Sequence, residues 1–291
     1  MILINELLNT FFLYKNNKSS KLIFQNIDSF NQYMKSIKSK IFEEDFKNLT
    51  DNDRKIIENI ILYYNYPRIL KKTAVKLYKY TDIDNLIFCA LNLLTITIEN
   101  SFTCRKINGN FLVSDGTYCT EINKIRYRNK EAIPHEFLHM ASSMPINKNI
   151  SKIGFGIFQN GKYYAQGLNE GYTEMLSRRI FFNENYNGNA YTTKVYALRL
   201  LELLYENKKE MEKDYLNANI NNFKKIFLNF GSKSELEKII YALDIPEWEL
   251  TGEEKIELLN YVKKIIKRKE EKEEIELIAD EFKSIIKVKK N

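Results

Sequence analysis

The stretch Ile133-Pro134-His135-Glu136-Phe137-Leu138-His139-Met140-Ala141 contains both histidines of the 291-residue chain. His135 and His139 are four residues apart, and Glu136 directly follows the first of them. Pro134 suits the first turn of a helix, where its missing N–H costs nothing. Residues i and i+4 of an α-helix lie on one face, so both imidazoles can bind one metal ion. The pattern His-Glu-x-x-His is typical of a zinc ion held by two histidines, with the glutamate as general base.

A second stretch, residues 167–176, contains Glu170 and Glu174, which would share one face of another helix. A catalytic zinc ion takes three protein ligands and keeps a fourth position open for water. Its histidine ligands also need a carboxylate or a carbonyl that holds each ring in one tautomer. One of the two glutamates could complete the ligand set while the other orients a histidine, and the spacing alone leaves that choice open.

Together the two stretches resemble the thermolysin-like zinc metallopeptidases, the gluzincins, in which His-Glu-x-x-His is followed by a helix bearing Asn-Glu-x-x-x-Asp or a near variant. Here Asn169-Glu170 and Glu174 match the second motif, about thirty residues after His139. The resemblance implies that His135, His139 and Glu170 bind zinc. It also implies that Glu174 takes the place of the usual aspartate, so that Glu174 and Asn169 support the zinc ligands from behind.

Two other interpretations of the histidine pair stay open. The two rings could simply be hydrogen-bonded to each other, or the zinc could stabilise a helical interaction module without catalysis. Structural zinc sites usually close with cysteine, and Cys89, Cys104 and Cys119 are scattered without Cys-x-x-Cys spacing. Peptide deformylases also contain His-Glu-x-x-His, but they need a cysteine within a glycine-rich motif that this chain lacks. We therefore expect a catalytic zinc site.

Composition narrows the class of protein further. Hydrophobic residues make up 44% of the chain, with 19 Tyr and 18 Phe, which predicts a globular protein. Three cysteines and an N-terminus without a basic, then apolar, signal predict a cytoplasmic protein, unless it is exported without a leader. The net charge is +7, but lysines are spread along the chain and mixed with glutamates. This pattern argues against a nucleic-acid partner, and we expect no membrane span.

The remaining sequence predicts an α+β fold that is mainly α, with a small antiparallel sheet beside two zinc-binding helices. We expect a helical part over 1–100, a catalytic core over 101–185 and a helical lobe over 186–291. Hairpin turns are predicted where Asn or Asp precedes Gly, at Asn108-Gly109, Asp115-Gly116 and Asn160-Gly161. Asn169 is predicted to cap the helix that carries Glu170.

The predicted reaction is hydrolysis of a peptide or protein substrate by a zinc-activated water. Glu136 would take the proton of that water and deliver it to the leaving amine. The developing oxyanion needs a further donor, and no third histidine exists. A tyrosine or arginine must serve. Tyr191 ranks first because it begins the helix after a predicted loop between lobes, residues 183–189. The other candidates are Tyr163, Tyr164, Tyr172 and Arg199. In the family that the chain resembles, an edge strand beside the zinc helix receives the peptide, and residues 117–127 are the candidate for that strand here.

Overall fold

The computed structural model describes residues 49–64, 66–101, 103–107, 110–145, 150–184, 191–269 and 273–288. These residues are mainly helical and include small sheets, so the predicted α+β, mainly α class is confirmed. The chain forms two compact units, Met1–Lys152 and Ile153–Asn291. Their boundary falls within the predicted 101–185 core. Residues 1–48 of the predicted helical part, the Asn108-Gly109 turn and residues 185–189 of the predicted loop between lobes lie outside the described residues.

The described part of the first unit begins with three helices: α1 (Asp51–Tyr63), α2 (Arg68–Tyr80) and α3 (Ile87–Leu93). Thr50 caps α1 through a capping box, since its hydroxyl accepts a hydrogen bond from the Asp53 N–H at 3.2 Å while the Asp53 carboxylate accepts one from the Thr50 N–H at 2.9 Å. Every residue of α3 is buried.

Five strands follow α3 in the first unit: β1 (Thr97–Asn100), β2 (Thr103–Ile107), β3 (Asn110–Ser114), β4 (Gly116–Cys119) and β5 (Lys124–Tyr127). Strand β5 lies at the centre of a three-stranded sheet, parallel to β1 and antiparallel to β4. Strands β2 and β3 form a separate antiparallel pair. The first sheet is therefore mixed rather than purely antiparallel.

Two predictions about this sheet were wrong. Residues 117–127 do not form one edge strand, because the 3₁₀ turn Thr120–Ile122 and the left-handed Asn123 (φ 46°) separate β4 from the central β5. Asp115-Gly116 does not close a hairpin either, since β3 and β4 belong to different sheets. The Asp115 carbonyl instead accepts hydrogen bonds from the Arg128 and Asn129 N–H groups at 2.8 and 3.2 Å. Pairing with a distant strand thus outweighs the local turn preference.

Helix α4 (Ile133–Ala141) precedes a four-stranded sheet of β6 (Ser143–Pro145), β7 (Ile150–Ile153), β8 (Gly156–Gln159) and β9 (Lys162–Tyr164), in that order. The third predicted hairpin is confirmed between β8 and β9. Asn160 and Gly161 connect these strands with φ angles of 50° and 78°, the positive values that a tight hairpin turn requires.

The second unit contains helices α5 (Gln166–Phe181), α6 (Thr192–Glu202), α7 (Lys208–Leu216), α8 (Ile220–Phe227), α9 (Lys233–Asp244), α10 (Gly252–Ile266) and α11 (Glu273–Val288). Helix α5 packs on α6 and α9, and α6 also packs on α10 and α11. The buried guanidinium of Arg179 on α5 pairs with Glu202 at 2.7 Å and with Glu212 at 3.0 Å. Helix α5 is therefore tied to α6 and α7.

Helix α11 buries Ile275, Ile278, Phe282 and Ile286. Within the described ranges, none of the helices combines the length and the apolarity that crossing a bilayer requires.

Candidate metal centre

Helix α4 presents the two histidines from a fully packed environment. Phe137 and Leu138 are completely buried, and His135, Glu136 and His139 are also at least nine-tenths buried. The end of the helix is held by Asn92, whose side-chain amide donates hydrogen bonds to the carbonyls of Met140 at 2.7 Å and Ser143 at 2.9 Å. The helix that carries the motif is thus anchored on both its apolar and its polar sides.

The two imidazoles point their Nε2 atoms at one another. These atoms are 3.1 Å apart, and the ring planes are inclined at 75°. A tetrahedral ion bonded to both nitrogens at zinc–nitrogen distances of about 2.0–2.1 Å would hold them about 3.3 Å apart. The observed separation fits that arrangement, and it also fits an N–H···N hydrogen bond between opposite tautomers. The pair alone therefore does not identify a metal site.

Glu170 on α5 completes a possible ligand set. One ligand atom each from His135, His139 and Glu170 lies within 4.8 Å of the others, and this is the cluster of metal-binding side chains found in the described part of the chain. Two imidazole nitrogens and one carboxylate oxygen are the donors of a His₂Glu zinc site, which leaves a fourth position for water. The residues therefore fit a zinc ion in type and number.

Glu136 lies against the edge strand of the first sheet. A Cβ atom added to Gly116 on β4 would be 2.9 Å from Glu136 Oε1, so the strand backbone approaches the carboxylate directly. The charge of Glu136 also affects the pKa of Cys119 on the same strand. Burial raises the pKa of the Cys119 thiol, Arg126 lowers it, and the nearby carboxylates Glu121 and Glu136 raise it further. The predicted general base thus lies beside β4.

Asn169 does not cap the helix of Glu170, contrary to the prediction. Helix α5 begins three residues earlier, after Ala165 in the left-handed conformation (φ 55°). The Gly167 N–H in its first turn donates to the carboxylate of Asp244 at 2.6 Å, so a residue distant in sequence supplies the cap. Asn169 lies inside the helix, where its side-chain oxygen accepts a hydrogen bond from the Phe155 N–H at 3.2 Å. Glu170 consequently occupies the second turn rather than the first.

Glu174 lies one turn after Glu170 and is buried. Its carboxylate accepts a hydrogen bond from Arg178 Nε at 2.6 Å, an ion pair along the same helix. This pair fixes the side chain at the level of the candidate ligands. The role that the resemblance assigns to Glu174, orienting a histidine, stays a prediction.

The candidate oxyanion donors have different environments. Tyr191 directly precedes α6, as predicted. Tyr172 is completely buried and packs its ring against Phe155, while its hydroxyl lies 3.4 Å from Glu202. Arg199 forms an ion pair with Glu281 at 2.9 Å. Tyr172 and Arg199 are thereby engaged within the packing of the helical unit.

The two tyrosines of strand β9, Tyr163 and Tyr164, contact different parts of the protein. The Tyr164 hydroxyl donates to Glu237 at 3.1 Å. Tyr163 is 44% exposed and packs its ring against Phe158 on the neighbouring strand.

Lys194, one turn after Tyr191, was missed by the sequence reasoning. It is 7% exposed, and its ammonium lies 5.8 Å from the centre of the Tyr191 ring. The carboxylate that acts most strongly on its charge is that of Glu170. A lysine in a mainly polar helical turn has no sequence signal that distinguishes it from a solvent-exposed one, so only the packing reveals it.

No protein-family model, no curated protein and no solved structure matches this chain.

Proposed function

We propose that this chain is a zinc-dependent metallopeptidase in which His135, His139 and Glu170 bind the metal. The observation that supports the proposal is the grouping of these three side chains, two of them on one buried helix, with ligand atoms within 4.8 Å of one another. Their donor set suits zinc, which when bound lowers the pKa of a water ligand and polarises a carbonyl group. The resemblance to gluzincins provides the reaction class.

Glu136 is assigned the proton transfers. It follows a candidate ligand directly, is buried, and has its carboxylate beside the backbone of β4. A buried carboxylate next to the reaction centre can take a proton from the attacking water and then deliver it to the leaving amine. Burial also excludes bulk water from that transfer, which strengthens the electrostatic interactions of the carboxylate.

Strand β4 is the proposed docking edge for the peptide. Among the described residues, β4 is the last strand in the order β1–β5–β4 of its sheet. An extended peptide could add to the side of β4 away from β5 through main-chain hydrogen bonds. Because Gly116 on β4 touches Glu136, a peptide bound there would pass close to the general base.

Elemental analysis of the wild type and of His139→Ala tests the metal site. We expect about one zinc per wild-type chain and its loss in the variant, since one of three ligands is removed. Absence of zinc from the wild type after incubation with zinc would refute the proposal.

Digestion of a peptide library then tests turnover. Glu136→Gln should keep the zinc and lower the cleavage rate by about a hundredfold or more, because the general base is lost. Stoichiometric zinc without cleavage by the wild type would instead indicate the non-catalytic interaction module.

A further inference from the structure

Lys194 lies at the crossing point of the two helices α5 and α6. A Cβ atom added to Gly171 on α5 would be 2.8 Å from Cβ of Lys194 and 3.1 Å from its carbonyl carbon. Gly171 directly follows Glu170, the candidate metal ligand. The absence of a side chain at position 171 therefore lets the stem of the lysine pass close to the part of α5 that carries the ligand.

The ammonium of Lys194 is buried without an ion-pair partner in the described part of the chain. The lysine is 7% exposed, and its described contact is with the ring of Tyr191 at 5.8 Å. Lysines are almost never buried unless they are paired, because removing the charge from water is costly. A cation–π contact at this distance offsets only a small part of that cost. Within the described residues, the charge is therefore balanced by carboxylates that act from a distance rather than by a direct ion pair.

The nearby carboxylates act on Lys194 from a distance. Burial lowers the pKa of Lys194, and the carboxylates of Glu170, Glu247 and Asp244 oppose that effect in this order. Two of the three have other hydrogen bonds at helix N-termini, because Glu247 accepts from the Thr193 N–H at 3.2 Å and Asp244 accepts from the Gly167 N–H at 2.6 Å. Glu170, whose charge opposes the effect of burial most, is the candidate metal ligand.

We propose that Lys194 binds an anionic oxygen of the substrate at the candidate metal centre. The inference rests on the proposed peptidase function and adds a residue to it. If Glu170 serves as a metal ligand, its carboxylate is less available to balance the ammonium, so a negative oxygen beside Lys194 would form a charge-assisted hydrogen bond with it. Two sources supply such an oxygen: the oxyanion formed at the scissile carbonyl, or a carboxylate of the peptide.

Lys194 is an alternative to Tyr191 as the donor to the oxyanion. Lys194 lies one helical turn after Tyr191, and its ammonium faces the ring of that tyrosine. The ammonium has three N–H donors, whereas a tyrosine hydroxyl has one. Lys194 is therefore the stronger electrostatic candidate of the two, and the ring of Tyr191 bounds the space in which the ammonium can move.

Binding of inorganic phosphate, a tetrahedral oxyanion, tests the proposal on the full chain. We would measure its dissociation constant by calorimetry for zinc-loaded wild type, Lys194→Met and Lys225→Met, at one ionic strength. Lys225 is exposed on α8, so its variant removes the same charge away from the site. We expect Lys194→Met to retain one zinc and to bind phosphate about tenfold or more weakly, while Lys225→Met matches the wild type. Equal phosphate affinity in Lys194→Met and wild type would overturn the proposal.

Thermal unfolding distinguishes this role from a structural one. Replacing a buried charge that has no direct ion pair in the described residues by an apolar side chain of similar length should leave the Tm unchanged or raise it. A Tm several degrees lower in Lys194→Met than in the wild type would show that the lysine serves the fold, and would also overturn the proposal.

Two further comparisons separate the remaining outcomes. If the wild type binds no zinc, the peptidase function fails, and the same phosphate titration on the metal-free chains decides whether Lys194 binds an anion. Peptides that the wild type cleaves would be compared with a free C-terminal carboxylate and with a C-terminal amide. If Lys194→Met lowers kcat equally for both forms, the oxyanion is the partner. A rise in KM confined to the acids identifies the carboxylate.

Discussion

A Cβ atom on Gly116 would lie 2.7 Å from Cγ of Glu136, closer than non-bonded carbon atoms approach one another in folded proteins. The same atom would be 2.9 Å from Cβ of Ala132. Strand β4 can therefore contact helix α4 at this point only because residue 116 has no side chain. The contact fixes the space that the Glu136 side chain occupies.

Gly116→Ala is expected to displace Glu136 and to lower the rate of peptide cleavage by about tenfold or more, since small misplacements of a catalytic group are costly. Zinc content should stay at the wild-type level because the three candidate ligands are not touched. Thr97→Ala, at an exposed position on β1 of the same sheet, serves as the control and should retain cleavage. Wild-type cleavage by Gly116→Ala would contradict the positioning role of the glycine.

Asn169→Ala is expected to destabilise the protein by about 1–3 kcal/mol, because it leaves the buried Phe155 N–H without its acceptor. Urea unfolding followed by circular dichroism measures the change. Gln166→Ala replaces an exposed residue in the first turn of the same helix and should change stability by less than about 0.5 kcal/mol. Equal stability of the two variants would show that the amide contact contributes nothing.

Lys269→Met is expected to destabilise the second unit by about 1–3 kcal/mol. The Lys269 ammonium donates to the carbonyls of Leu203, Leu204 and Tyr205 at 3.1, 3.1 and 2.9 Å, and these groups lie just beyond the end of α6. Charge-assisted bonds of this kind satisfy carbonyls that a helix end leaves without partners.

Lys267→Met provides the comparison for this prediction. Lys267 pairs with Glu276 at 2.9 Å on the surface, where such a pair contributes about 0–1 kcal/mol. Chemical denaturation should therefore show a larger fall in the free energy of unfolding for Lys269→Met than for Lys267→Met. A larger loss of stability in Lys267→Met than in Lys269→Met would contradict the capping role.

The Glu235 carboxylate is expected to stabilise the folded protein in a pH-dependent way. The guanidinium of Arg268 and the backbone of Ser232 lower the pKa of Glu235 from its ordinary value of 4.5 to about 2. Because the folded-state pKa is depressed, this contribution is present above pH 4.5 and is lost as the pH falls toward 2. Glu235→Gln should therefore be less stable than wild type at pH 7, with a difference that shrinks between pH 4.5 and 2. Urea unfolding across this range checks it, and a difference independent of pH would refute the assignment.

Several features of the fold could be predicted from the sequence because their causes are local. The spacing of His135 and His139 places both rings on one face of any helix that forms there. Asn160-Gly161 supplies the positive φ angles of a hairpin turn, and Thr50 with Asp53 forms a capping box within three residues. Each depends on backbone geometry and on hydrogen bonds between residues close in the chain.

Other features depend on residues that are far apart in sequence. The start of α5 is set by Asp244, 77 residues after Gly167, which is why Asn169 was wrongly predicted as the cap. The local turn preference of Asp115-Gly116 yields to the pairing of β4 with β5. In both cases a partner that only the folded chain brings near supplies a stronger interaction than the local one.

By itself the sequence determined the pair of histidines, the glutamate beside them and the downstream glutamates, because i, i+4 geometry follows from the helix alone. Only the tertiary structure decided that Glu170 joins the histidines, that Gly116 makes room for Glu136, and that Lys194 is buried beside α5. The physical reason is that burial and contact between distant residues arise from how helices and strands pack, and a lysine or a glycine looks the same in sequence whether it faces solvent or a neighbouring helix.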